Sequence, residues 1–210
     1  MTAENSAIIG KVDIGPNYRK ITVHTSAVRS PEFRPGQCVN INDRYFAIAA
    51  IRPGEVDLVV PSSSPLLDLQ FTIVSLALPV GVGFPHLDDK ALHCVAGGSG
   101  IGAFVELVIQ RRRLDLDTTV QMYGRNVKRL DVIQSFPIFG EIEFECWDTS
   151  RWGRPYAKDR VFSRDEGIKQ LFAGPVGLLE ELRSYTGCPP VDRKSTRLNS
   201  SHVSESRMPS

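Results

Sequence analysis

The chain reads as an α+β protein of two domains: an antiparallel β-barrel or sandwich, then a smaller parallel α/β domain. Three observations predict this. Short runs rich in Val, Ile and aromatics fill the first part, to about residue 86, and Gly, Pro, Asn and Ser punctuate them at short intervals. From about Leu87 the apolar runs become continuous, as in strands covered on both faces, and alternate with helical patterns. A glycine cluster, Gly97-Gly98-Ser99-Gly100-Ile101-Gly102, stands at the first strand-to-helix turn of this second part.

In the first part, AIIGKVDIG (7–15), RKITVHTS (19–26), QCVNINDRYFAIAAI (37–51) and EVDLVV (55–60) are the strand candidates. Lys20-Ile21-Thr22-Val23-His24-Thr25 alternates polar and apolar residues, the mark of a half-buried strand. In the second part, ALHCVAG (91–97) is a buried strand and GAFVELVIQRRR (102–113) a helix with Phe104, Leu107 and Val108 on one face. Its three terminal arginines stand where the helix dipole favours cations. TTVQMYG (118–124), EIEFECW (141–147) and QLFAG (170–174) complete the strands, with helices over NVKRLDVIQSF (126–136) and PVGLLEELRSY (175–185). The last eighteen residues, RKSTRLNSSHVSESRMPS (193–210), have no apolar periodicity. They read as a disordered tail. The string also resembles translated sequencing-adapter read-through, which would make it non-native.

Composition excludes several classes. The 210 residues carry a net charge of +1, so no electrostatic footprint for nucleic acid or an anionic membrane surface exists. No apolar run is long enough to span a bilayer, and Met1 to Ala7 lacks a basic-then-apolar signal. Cys38, Cys94, Cys146 and Cys188 are scattered without a C-x-x-C pair, so no zinc or iron–sulfur site is expected, and reduced thiols point to the cytoplasm. The four histidines are equally dispersed, and no G-x-S-x-G or H-E-x-x-H pattern occurs.

Gly98-Ser99-Gly100-Ile101-Gly102-Ala103 fits G-x-G-x-x-A between a strand and a helix. Such a turn brings backbone close to a pyrophosphate at a helix N-terminus; a tight ligand-free turn fits the same residues. A dinucleotide unit with an acid at the end of its second strand is disfavoured, because that place reads Tyr123-Gly124-Arg125-Asn126.

Five stretches, in order, carry a resemblance: FRPGQCVNI (33–41), DRYFAIAA (43–50), GGSGIGAF (97–104), YGRN (123–126) and LFAGPVGLLEELR (171–183). Together they resemble the ferredoxin–NADP reductase superfamily of flavin reductases over roughly residues 7 to 190. The resemblance implies a six-stranded antiparallel flavin-binding barrel (1–87) and an NAD(P)-binding α/β domain (88–192). It implies FAD, with FMN as the alternative, between the domains, NADH or NADPH as hydride donor, and an electron-acceptor protein or small acceptor. In this family the difficult chemistry belongs to the cofactors, and direct hydride transfer needs no catalytic acid or base.

By the same resemblance Arg44 pairs with flavin phosphate, Phe46 stacks on the flavin, and the backbone of Ala47 and Ile48 contacts it; Tyr45 lies within the motif. Phe46 replaces a tyrosine and Ala47 a Ser or Thr of the family pattern. Ser62, Ser63 and Ser64, in PSSSPLL (61–67), stand at a second phosphate loop or a plain turn. Gly97, Gly98, Ser99, Gly100, Ile101 and Gly102, with Gly174 and Pro175, frame the nicotinamide nucleotide; Ala173 replaces a frequent cysteine. Tyr123 and Arg125 edge the adenosine side. Arg125, Lys128 and Arg129, or Ser150 and Arg151, suit a 2′-phosphate or merely a solvated surface. The departures at Phe46, Ala47 and Ala173 keep a second expectation open: a reductase-like module that binds a nucleotide or partner without turnover.

Overall fold

A computed structural model describes residues 4–25, 34–41, 44–68, 73–80, 83–84, 89–153, 168–175 and 202–204. Among them, β1 (Glu4–Asp13), β2 (Tyr18–Thr25), β3 (Cys38–Ile41), β4 (Arg44–Arg52), β5 (Glu55–Pro61) and β6 (Ile73–Val80) pair in the closed order β1-β2-β5-β4-β3-β6. Every pair is antiparallel. Strand alternation sorts the side chains into two environments. Ile21 and Val23 of β2, Val39 and Ile41 of β3, Ile48 of β4 and Val56, Leu58 and Val60 of β5 fill the barrel interior with Ile8 and Leu66.

The opposite faces of β4 and β5 do different work. Ala47, Ala49 and Val59 point out of the barrel and join a second core shared with the following domain. Small side chains on β4 let the first long helix lie close on the barrel wall. Phe84 stacks on Phe104 of that helix, ring centroids 5.3 Å apart and nearly parallel. The outward Asp57 on β5 is nevertheless buried, and it accepts hydrogen bonds from Thr22 Oγ1 (2.7 Å) and from both Arg52 terminal nitrogens (2.8 and 2.9 Å).

The second sheet has the order β11-β10-β7-β8-β9. β7 (Leu92–Gly97), β8 (Thr118–Gly124), β9 (Glu143–Asp148) and β10 (Lys169–Ala173) are parallel. A 3₁₀ turn, Gly98–Ile101, leads into α1 (Gly102–Arg113). α2 (Arg129–Ser135) and α3 (Thr149–Trp152) are short. α1 buries Phe104, Leu107 and Val108 as its spacing predicts. Its terminal arginines are not equivalent. Arg111 is buried and donates to Thr118 Oγ1 and to the carbonyls of Lys90 and Asp117, tying the helix end to the strand starts. Arg112 pairs with Asp115 at the surface.

Two expectations are corrected here. The sequence reads a helix from Asn126, but α2 begins at Arg129 because Asn126 takes a left-handed φ of 53° and ends that reach of helix. Residues 202–204 fall in the tail read as disordered, yet they form β11 (His202–Ser204), antiparallel to β10. β10 would otherwise end the sheet with an unpaired row of backbone groups, which accepts an extended segment with little sequence demand. The helix expected over 175–185 lies outside the described residues beyond Pro175. No helix among the described residues is long and apolar enough to cross a membrane.

Cys38 and Cys94 are buried and Cys146 half-buried, all as free thiols. Burial pushes the Cys146 thiol up to about 12 and drives Cys94 up as well, so neither offers a thiolate near neutral pH.

Candidate functional site

A cavity of about 310 Å³ opens where the barrel meets the parallel domain. Tyr45, Phe46 and Ala47 of β4 line it with Val59 and Pro61 of β5, Ser63, Ser64 and Pro65 of the following turn, and Ser99 of the glycine loop. Three sequence-predicted regions, about 20 to 50 residues apart along the chain, thus meet at one wall-to-wall space. Two aromatic rings and four apolar side chains line it together with three seryl groups. That composition suits a flat heteroaromatic group carrying hydrogen-bonding edges.

The local fold explains each placement. Phe46 packs against the barrel core and lines the cavity, so its ring is held from behind. Tyr45, on the other face of the strand, is 39% exposed. Ala47 is nearly fully buried, and its small side chain keeps the space open. The Ser64 N–H donates to the Pro61 carbonyl at 2.9 Å, which curls the turn over the cavity.

Some predicted residues go elsewhere. Ile48 points into the barrel interior, and its N–H donates to the Gln37 carbonyl at 3.1 Å, so neither group faces the cavity. This follows from strand alternation after Ala47. Ser62 is also drawn away. Its hydroxyl donates to the Pro16 carbonyl and accepts from Arg19 near the start of β2, and its N–H donates to the Asn17 carbonyl in the β1–β2 turn. The Arg44 backbone opens β4 opposite Ile41; its side chain lies outside the described residues.

The glycine loop has a reason for its glycines that the sequence does not display. At Gly98, with φ +56°, a methyl group would lie 2.9 Å from the Tyr18 hydroxyl. At Gly100 it would lie 2.3 Å from the Ala173 carbonyl oxygen, and at Gly102 3.1 Å from Val59 Cγ2. Each open side is therefore filled by protein: by the barrel at two positions and by the end of β10 at the third. Gly174 meets Gly97 equally closely, a Cβ there falling 3.0 Å from the Gly97 Cα. The buried Ile101 packs into the shared core, and Pro175 is exposed beyond Gly174. Among these loop residues Ser99 reaches the cavity.

Tyr123 is buried and its hydroxyl donates to Gln121 Oε1 at 2.9 Å, along β8 rather than into the cavity. Arg125 is exposed, but its backbone is held by the barrel. Asn17 Nδ2 donates to the Arg125 carbonyl at 2.7 Å. Asp148 ends β9 and caps α3, accepting from the Asn126 N–H (2.7 Å), the Ser150 N–H (2.9 Å) and the Ser150 hydroxyl (2.6 Å). These bonds hold its carboxyl below the usual carboxylate range. A carboxylate does stand beside the end of β8, contributed by the next strand. Arg129 is spent on the Phe144 carbonyl, and Arg151 lies over the exposed Trp152 ring, 4.8 Å from its centre.

Tyr18, Val59, Pro61 and Pro65 are the residues that sequence reasoning missed. Pro61 and Pro65 bracket the serine run and mark the turn; Tyr18 has no local signal beyond following the Pro16-Asn17 turn.

No family model matches the chain, and no curated protein matches it by sequence. Solved structures do. The chain is similar to an intact type IV self-sufficient cytochrome P450 monooxygenase, with TM-score 0.71 and 19% identity over 94% of this chain and 27% of that one. It is similar to the ferredoxin reductase in carbazole 1,9a-dioxygenase, with TM-score 0.70 and 15% identity over 94% and 66%. A third is the flavohem-like FAD/NAD binding domain of nitric oxide dioxygenase from Vibrio cholerae O1 biovar El Tor, with TM-score 0.67 and 11% identity over 94% and 97%. The chain therefore spans about a quarter of the first, about two thirds of the second and nearly all of the third. The shared property is the ferredoxin reductase-like fold, an antiparallel barrel followed by a parallel α/β sheet.

Proposed function

We propose that the chain is an NAD(P)H-dependent flavin oxidoreductase unit, with FAD as its cofactor, that passes electrons to a protein or small acceptor. One observation carries this reading: the barrel motif Tyr45-Phe46-Ala47, the Ser63–Ser64 turn and Ser99 of the glycine loop line one cavity between the two domains. The neighbours in fold space support it, since two of the three are a ferredoxin reductase and an FAD/NAD binding domain by name. The domain division at residues 1–87 and 88–192 belongs to this proposal.

The residues present fit a flavin ring. Phe46, backed by the barrel core, would stack on it, and Tyr45 would cover an edge. Ser63 and Ser64 would hydrogen-bond its polar side or phosphate, and Ser99 would approach from the nucleotide domain. Bound flavin supplies the hydride acceptance itself. The chain's own contribution is placement. Val59, Pro61 and Pro65 give the cavity an apolar wall, and none of the lining residues is an acid, an imidazole or an amine. The missing hydroxyl at Phe46 and the missing side-chain donor at Ala47 leave orientation to stacking and backbone.

The test is the visible absorption spectrum of the purified protein, reconstituted with FAD, before and after anaerobic NADH or NADPH. A flavin spectrum that bleaches supports the reading. Stable flavin binding with no bleaching favours the binding module without turnover. No flavin uptake overturns both cofactor and activity.

A further inference from the structure

We propose that Tyr18, a barrel residue, is the positioning residue that sets the nucleotide-binding loops of the second domain and thereby its affinity for NAD(P)H. The inference rests on the functional reading above and extends it to a residue outside the cavity. In open α/β sheets ligands bind beyond the C-terminal ends of the strands. β7 and β8 are adjacent parallel strands, and both end in this region, at Gly97 and Gly124.

The Tyr18 ring enters between those two ends. A Cβ at Gly98 or at Gly124 would each fall 2.9 Å from its hydroxyl. The two glycines thus make room for one phenol, and that phenol sets the distance between the two turns. The neighbouring Asn17 side chain donates to the Arg125 carbonyl at 2.7 Å, so the barrel hairpin also holds the turn that follows β8.

The next residue is locked from the other side. The Asn126 N–H donates to Asp148 Oδ1 at 2.7 Å, and the Asn126 side-chain amide meets the Ser150 hydroxyl oxygen at 2.7 Å. The Arg125-Asn126 turn is pinned between the barrel and β9, and the exposed Arg125 side chain leaves it toward solvent in one direction. Burial pushes the Tyr18 phenol upward, so it stays neutral and keeps this packing across the physiological range. A nucleotide laid across the ends of β7 and β8 meets loops whose spacing the first domain dictates.

The experiment compares the full chain with Tyr18→Phe and Tyr18→Ala, each loaded with FAD. Binding of NADH and of NADPH is measured by calorimetry, flavin content by absorbance, and KM and kcat by steady-state turnover. Tyr18→Ala removes the wedge between the two turns, and nucleotide Kd rises severalfold; Tyr18→Phe keeps the ring in place and restores most of the binding. Flavin content stays at the wild-type level, and the loss falls on KM rather than kcat. Unchanged Kd in Tyr18→Ala, or flavin loss in step with nucleotide loss, overturns the proposal. If the alanine variant does not fold, Tyr18→Leu, which shortens the wedge, decides in its place. A wild-type protein that binds neither NADH nor NADPH overturns the functional reading itself, which the variants alone cannot do.

Discussion

Replacing Gly100 with Ala puts a methyl group 2.3 Å from the Ala173 carbonyl oxygen, 2.6 Å from its carbon and 2.8 Å from the Gly174 nitrogen. Cβ atoms essentially never approach closer than 3.0 Å, so something must move by about 0.7 Å. All three atoms are main chain, and no rotamer change relieves the contact. The end of β10 has to retreat from β7, with which it is in parallel register from Lys169 opposite Leu92 to Ala173 opposite Ala96. Overpacking costs about 1–3 kcal/mol, and main-chain displacement places this case at the upper end. Alanine in helical backbone returns about 0.5–1 kcal/mol relative to glycine. The net loss is about 2 kcal/mol, which for a chain of this size lowers Tm by about 4–8 °C. Gly140→Ala is the control. Its methyl meets a side-chain methyl of Ile133 at 3.3 Å, at a backbone conformation open to any residue, and stability stays within about 0.5 kcal/mol. Thermal denaturation followed by far-UV circular dichroism reads both. A Gly100→Ala Tm equal to that of Gly140→Ala refutes the close approach of the glycine loop to β10.

Asp57→Ala strips the buried acceptor of Thr22 and Arg52 from the barrel wall and costs about 2 kcal/mol in urea denaturation, because Arg52 is half exposed and water recovers part of the loss. Asp57→Asn loses less; equal stability of the alanine variant and wild type contradicts the role. His93 titrates in a known direction. Burial holds its imidazole below the ordinary 6.5, against the opposing pull of Gln121, Glu143 and Glu145. The unfolded chain takes up that proton more readily, so stability is complete above about pH 6.5 and falls as the pH drops toward the lowered folded value. His93→Gln flattens this component between about pH 7.5 and 5.5 in urea titrations, and an unchanged slope rules His93 out as its source.

Much of the architecture was legible in the residues because it depends on local periodicity. Alternation at Ile21 and Val23 predicts a half-buried strand, and the continuous run Leu92 to Gly97 predicts a strand covered on both faces. The i, i+3, i+4 set Phe104, Leu107, Val108 predicts the face that α1 buries. The cavity was partly legible too. Phe46 and Ala47 stand in a recognisable motif, and the run Ser62-Ser63-Ser64 between two prolines marks a turn. Which serine would face the cavity was not readable, because Ser62 is claimed by Pro16 and Arg19, over 40 positions earlier in the chain.

The sequence by itself determined the two-part order of strands and helices, the position of the glycine turn and the aromatic motif on β4. Each of these is written in contacts between near neighbours along the chain. Tertiary structure alone decided what the glycines are for and what links the domains. Gly98 and Gly124 answer to Tyr18, Gly100 to Ala173 and Gly102 to Val59, pairs separated by about 40 to 110 residues. A residue without a side chain carries no record of which atom needs its space. That partner exists only after the barrel wall and the parallel sheet have been brought together, because the burial that drives their docking is summed over both surfaces.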